Sequence, residues 1–162
     1  MDTQFAWAAG FIDGEGTITL KRYKSRYTTR KIHYQPFVSL SQANNVGHFD
    51  GVRELHKLFG GSISHIKGKP PRLDVISWCV VSRNAVECLK KIRPFLKVKS
   101  HHADLLIGYY DGAGKKGKAY RLTDKELYAR EKIWSELRSI NQKGRLHLQR
   151  LSEITPEGDA TV

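Results

Sequence analysis

At 162 residues the chain is long enough to bury one core and short for two. Its 28 lysines and arginines outnumber 16 aspartates and glutamates, and the formal net charge of +12 points to a polyanionic partner, either nucleic acid or an anionic membrane surface. No apolar run approaches the roughly 20 residues that span a bilayer, and acidic Asp2 stands where a secretory signal would be basic, so membrane is the weaker partner and an intracellular location is expected. Cys79 and Cys88 lack C-x-x-C spacing and are too few for a disulfide framework, so both are expected as buried thiols.

The first element spans Phe5 to Gly16, a run of small and apolar residues that ends in two acids alternating with glycines. Ala6, Ala8 and Ala9 favour helix. Gly10 and Gly14, one turn apart, let a second backbone approach, and Gly16 is placed to stop the helix with a positive φ. Asp13 and Glu15 then fall at the carboxyl end, where the helix dipole disfavours negative charge. Acids there require a cation or a capping role.

Thr17–Lys21 alternates polar and apolar residues, as a strand with one wet face does. Ile32–Leu40 alternates too, with Tyr34, Pro36, Val38 and Leu40 on one side and His33, Gln35, Phe37 and Ser39 on the other. The tip between them, Arg22–Lys31, holds five basic residues and two tyrosines. Lysines can guard an edge strand, but tyrosines among the cations favour nucleic-acid contact. A helix capped by Asn44 or Asn45 runs to Phe59, with Val52, Leu55, Leu58 and Phe59 as its apolar stripe, and Gly60-Gly61 ends it.

A second strand pair follows, Ser62 to about Lys67 and Arg72 to Ser82 around Gly68–Pro71. Alternation sets Val75, Cys79 and Val81 on the buried side and Arg72, Asp74, Ile76 and Trp78 on the other, while Ser64, His65 and Lys67 cannot all face one way. Arg83–Ile92 reads as a helix stopped by Pro94, followed by a helix near Ser100–Tyr110. Thr123–Glu126 is a capping box opening a helix to about Ile140, with Leu127, Trp134 and Leu137 inward. Residues 1–151 are expected to form one domain and 152–162 a loosely ordered tail. The order is αββαββα plus carboxyl-terminal helices: an α+β fold, with helices on one face of an antiparallel sheet. Its open face is expected to carry cations, amides, hydroxyls and aromatics, a surface shaped to lie on nucleic acid.

With that order in place, Ala8-Ala9-Gly10-Phe11-Ile12-Asp13-Gly14-Glu15-Gly16 resembles the LAGLIDADG motif. The chain resembles the single-motif, intron-encoded homing endonucleases from about residue 3 to 150, and Pro94-Phe95-Leu96-Lys97-Val98-Lys99 strengthens the match. The resemblance implies a saddle-shaped antiparallel sheet with helices on one face and DNA on the other. It implies a homodimer joined through the motif helix at Gly10, Asp13 and Gly14, on a near-palindromic site of about 20 base pairs. Glu15 takes the place of the family's metal-binding acid, usually Asp, and the Gly14 carbonyl can assist. Asp13 is read as bracing the helix ends rather than binding metal. Oxygen ligands and a phosphate substrate point to Mg²⁺, with Mn²⁺ or Ca²⁺ able to occupy the site. Lys99 matches the lysine near the family's active site, and Gln42 a position that orients water. The family often adds a basic residue a turn beyond Gln42; here Ala43–Gly47 offers none, and His48 is a weak substitute.

For DNA reading, the resemblance places Thr19, Lys21, Tyr23 and Ser25, then His33, Gln35, Phe37 and Ser39, then Arg72, Asp74 and Trp78 in the major groove. Arg30, His65 and Lys67 join them, together with Arg22, Lys24 and Arg26 at the tip, and Lys97, Lys116, Lys118, Lys143 and Arg145 are read as backbone contacts. The activity implied is site-specific double-strand DNA hydrolysis leaving 3′ overhangs. An RNA maturase assisting intron splicing and a non-catalytic DNA-binding protein are the alternatives.

Overall fold

The computed structural model describes residues 2–24, 32–43, 50–112 and 123–142. The elements run α1 (Asp2–Glu15), β1 (Thr17–Tyr23), β2 (His33–Ala43), α2 (Asp50–Phe59), β3 (Ser62–Ile66), β4 (Val75–Val81), α3 (Ser82–Ile92), a 3-10 turn (Arg93–Phe95), α4 (Ser100–Gly112) and α5 (Asp124–Asn141). The four strands form one antiparallel sheet in the order β1-β2-β4-β3. This is the expected α+β architecture. The expected tail, 152–162, lies outside the described residues.

Period-two alternation decides which face of the sheet is covered. Ile18 and Leu20 of β1, Tyr34, Val38 and Leu40 of β2, and Ile76, Trp78 and Val80 of β4 are buried. They pack with Ala8, Ala9 and Ile12 of α1, Val52 and Leu55 of α2, Leu89 and Ile92 of α3, Leu106 of α4 and Leu137 of α5. The helices cover one face and leave the other open, as an antiparallel sheet allows. Thr123 and Glu126 start α5 with the expected capping box, each side chain accepting the other's backbone N–H.

β4 corrects the alternation reading. Trp78 is fully buried, with its indole N–H donating to the Gly60 carbonyl at 2.8 Å, and Ile76 is buried beside it. Val75, Cys79 and Val81 take the open face instead. In Val-Ile-Ser-Trp-Cys-Val-Val six of seven residues are apolar and only Ser77 marks the outward phase, so its own pattern chooses weakly. Register chooses: Leu40 pairs with Trp78 and Val38 with Val80, and paired residues share a face. Of the two thiols only Cys88 is buried, and burial pushes it up to about 12.

Gly16 is also needed for a different reason than expected. Positive φ occurs at Gly60 (68°) and Gly61 (92°), which end α2, and not at Gly16. Gly16 is buried, its N–H donates to the Ile12 carbonyl at 2.9 Å, and a Cβ there would stand 2.8 Å from that oxygen. The turn from α1 into β1 is therefore closed by contact.

Trp78→Ala should cost about 3–5 kcal/mol of unfolding free energy in a denaturant titration, as loss of a buried indole does. An outward Trp78 would leave stability nearly unchanged.

Candidate functional site

The carboxyl end of α1 is gripped by residues 97–99. Asp13 Oδ2 accepts the backbone N–H groups of Lys97 at 2.6 Å and Val98 at 3.1 Å, and Oδ1 accepts that of Lys99 at 2.9 Å. In return the Lys99 ammonium donates to the Ile12 carbonyl at 2.9 Å and to the Asp13 carbonyl. Each residue thus binds the other's backbone. Pro94 lies in the 3-10 turn that follows α3, and buried Leu96 anchors the segment beneath α1.

The electrostatics follow. Burial pushes the Asp13 carboxyl up, but the three N–H groups and the Lys99 charge outweigh it and hold it below its ordinary value of 3.8. Burial pushes Lys99 down, with the Asp13 charge opposing. A cation on the last carbonyls of α1 complements the helix dipole, which resolves the conflict of placing acids there.

With both Asp13 oxygens occupied by its own chain, Glu15 is the acid left at the helix end. It is exposed, and among the described residues no side chain pairs with it. Gly14 and Gly10 are exposed, and a Cβ on either would meet nothing within 4 Å. They share a helix face with exposed Thr3 and Trp7, the latter 42% accessible. Gln42 stands on the helix side of β2. Its Oε1 is buried with no hydrogen-bond partner, close to Gly51 and by Phe11, and no hydrogen bond links it to Lys99 or Glu15. The structure therefore joins Asp13, Lys99 and the Gly14–Glu15 terminus, and leaves Gln42 apart from that hydrogen-bonded group. His48 lies outside the described residues.

On the open face, Thr19, Lys21 and Tyr23 of β1 stand beside His33, Gln35, Phe37 and Ser39 of β2 as expected. The Lys21 ammonium sits 3.3 Å from the Phe37 ring centroid, Tyr23 stacks on His33 at 5.4 Å, and Gln35 Nε2 donates to Ser82 Oγ at 3.0 Å. The register adds Thr17, Ser41, Ser62, Ser64, Ser77 and Cys79 to the face. Alternation continued along β1 and β2 would have found Thr17 and Ser41; the others needed the pairing.

Several expected readers are elsewhere. Trp78 is in the core, and His65 pairs with Ile76 on the helix side of β3. Asp74 accepts the Gly68 N–H at 2.8 Å and lies 3.3 Å from His65 Nε2, so it braces the β3–β4 turn rather than offering a free acceptor. Arg72 and Lys67 are exposed in that turn, outside both strands, and Lys97 is exposed beside Asp13. Arg22 turns to the helix side, where Glu131 of α5 accepts its Nε–H at 3.1 Å and also bonds the Tyr34 hydroxyl. Ser25, Arg26, Arg30, Lys116, Lys118, Lys143 and Arg145 lie outside the described residues. Among the described residues, Lys21 is the single lysine or arginine on the face itself. Lys24, Lys67, Lys69, Arg72 and Lys97 stand exposed in the segments around it. The floor is polar and nearly neutral, and the cations form a rim.

A helix-end acid stands beside an open, polar antiparallel sheet with exposed cations around it, a surface suited to a polyanion. The family comparison makes this specific: residues 8–112 match the LAGLIDADG endonuclease model, and the chain belongs to that family. Similar solved structures include the archaeal intron-encoded homing endonuclease I-Vdi141I complexed with DNA, at 20% identity and TM-score 0.65 over 85% of this chain and 84% of that one. The homing endonuclease I-TnaI matches at 24% identity and TM-score 0.57, over 84% of this chain and 88% of its own. I-CvuI, in complex with its target in the presence of Ca, matches at 20% identity and TM-score 0.57, over 82% and 95%. The comparison with curated proteins returns no match.

Asp13→Ala should lower stability at neutral pH by about 1.5–3 kcal/mol, the worth of hydrogen bonds to a charged acceptor. Because the folded carboxyl lies below 3.8, that advantage is complete above this pH and is lost as the pH falls beneath it. Denaturant titrations of both proteins from pH 7 downward should therefore converge in strong acid; a constant difference would contradict the brace.

Proposed function

We propose that this LAGLIDADG endonuclease cleaves both strands of duplex DNA at a specific, near-palindromic site, as a homodimer that uses a divalent metal ion, Mg²⁺ by preference. The observation that carries the reading is Glu15, an exposed acid at the end of α1 that no described side chain pairs with, beside a polar open sheet.

The donor set suits a hard cation. Glu15 supplies a carboxylate and Gly14 a backbone carbonyl, both oxygen donors of the kind Mg²⁺ takes. Mg²⁺ is commonly held by one or two carboxylates, with water and phosphate oxygens completing its shell. A second α1 supplies the second carboxylate when two copies meet at Gly10 and Gly14, where absent side chains leave the helix face open. Such an ion activates water and stabilises the leaving oxygen of a phosphodiester. Structures of I-CvuI on DNA in the presence of Ca and, with the DNA not cleaved, in the presence of Mg support use of a divalent ion.

The chain's own residues have distinct tasks. Lys99 and Asp13 fix the helix terminus so that Glu15 projects from a rigid base. Gln42, whose amide oxygen is buried without a hydrogen-bond partner among the described residues, is read as the residue that orients water. Across the sheet, β2 alone is 11 residues, about 36 Å long, close to one turn of B-DNA, so two copies cover about 20 base pairs. The rim cations contact phosphates and set salt dependence, while the floor reads base edges.

The helix side fits RNA less well. In α2 and α5 acids balance lysines and arginines one for one, so neither helix offers a polyanion a basic surface. A purely DNA-binding protein would not need an unpaired Glu15.

Incubation of the full chain with a randomised duplex library and Mg²⁺ should yield specific staggered breaks. Glu15→Gln should reduce cleavage at the recovered site at least about a hundredfold while duplex binding stays near wild type. Unchanged cleavage in that variant would remove Glu15 from the site.

A further inference from the structure

The open face is uneven along its strands. Cross-strand register divides it into rows, each two residues, or about 6.7 Å, from the next. Toward the hairpin tip the rows are Tyr23–His33, Lys21–Gln35 and Thr19–Phe37–Val81. They hold most of the long, charged or aromatic side chains. The next row, beside Glu15, is Thr17–Ser39–Cys79–Ser62, followed by Ser41–Ser77–Ser64 and Ala43–Val75–Ile66. Beyond it lies the turn bearing Lys67, Lys69 and Arg72.

We propose that the three rows from Thr17–Ser62 to Ala43–Ile66 form a low-discrimination stretch in the DNA interface, so that each half-site contains about four base pairs of weak sequence preference beside a strongly read block under the hairpin. This deepens the proposed function and rests on its assignment of the open face to DNA.

Three lines of physical reasoning meet here. Three rows span about 13 Å, and base pairs stack every 3.4 Å, which gives about four pairs. Serine and threonine hydroxyls donate and accept, so they accommodate either base type, unlike Arg or Lys on guanine and Gln on adenine. Short side chains also stop close to the sheet, leaving room for bridging water that adapts to several bases. Part of the hydroxyl capacity is already used, since Ser41 Oγ and Ser77 Oγ bond each other at 2.7 Å. Val75, Ala43 and Ile66 offer no hydrogen bond at all.

The hairpin rows are built for the opposite task. Lys21 is held over Phe37, Tyr23 against His33, and Gln35 against Ser82, so these long side chains have fixed positions. Fixed donors and acceptors discriminate more sharply than mobile ones.

The test is a cleavage profile of the full chain with Mg²⁺ on duplexes randomised across one half-site, sequenced before and after cutting. The profile should show discrimination of about tenfold or more per base pair in one block. An adjacent stretch of about four pairs should stay within about threefold. Ser77→Arg should then create a guanine preference of about tenfold inside that stretch, leaving the neighbouring block's preference in place. Tenfold discrimination by the wild-type chain throughout the half-site would overturn the proposal. So would a Ser77→Arg effect that appears only in the strongly read block. Failure of the endonuclease reading looks different: no selective cutting of any sequence.

Discussion

The reciprocal clasp between Asp13 and Lys99 is the constraint on which the rest depends. An α-helix ends in carbonyls with no partner and a partial negative charge, a poor place for two acids. This chain answers with a lysine from a segment 86 residues away, whose ammonium bonds two of those carbonyls while Asp13 holds that lysine's own backbone. Neither half works alone. Without Asp13 the 97–99 segment has no anchor at its N–H groups; without Lys99 the helix end faces its acids uncompensated. The clasp settles Asp13 as a structural carboxylate and leaves Glu15 available for chemistry.

The same geometry links the site to the sheet. Gly16 brings the chain so close to Ile12 that β1 starts at once, placing Thr17 in a cross-strand row with Ser39, Cys79 and Ser62. Acid and reading surface are therefore separated by two residues of rigid chain. α5 adds a second restraint, since Glu131 receives both Arg22 and Tyr34 and ties the base of the hairpin to the helix layer. That cost the interface one of its expected arginines.

Much of this was legible in the residues. The small-residue helix with its terminal acids, the alternation of β2, the capping box at Thr123 and the Pro94–Lys99 segment all place their elements correctly, because each carries a local signal. β4 did not. Six of its seven residues are apolar, with Ser77 alone marking the outward phase, and pairing with β2 puts Trp78 inside and Cys79 outside. His65 and Asp74 failed similarly, since a five-residue edge strand and its turn have little pattern of their own. The distribution of charge was the other departure. Composition shows an excess of cations but cannot place them, and the sheet floor turns out to be mainly hydroxyl, amide and aromatic, with lysines and arginines around it.

Cys79 offers the most direct test of the claim that DNA lies on this face. It stands on the floor two strands from Thr17, whereas the chain's other thiol, Cys88, is buried and its ionisation pushed up to about 12. A maleimide should therefore label Cys79 alone in the native protein. A duplex recovered from the cleavage library, added with Ca²⁺ in place of Mg²⁺, should slow that labelling by tenfold or more, roughly the effect of sealing a surface beneath a bound helix. Labelling of Cys79 at the same rate with and without saturating duplex would contradict the account.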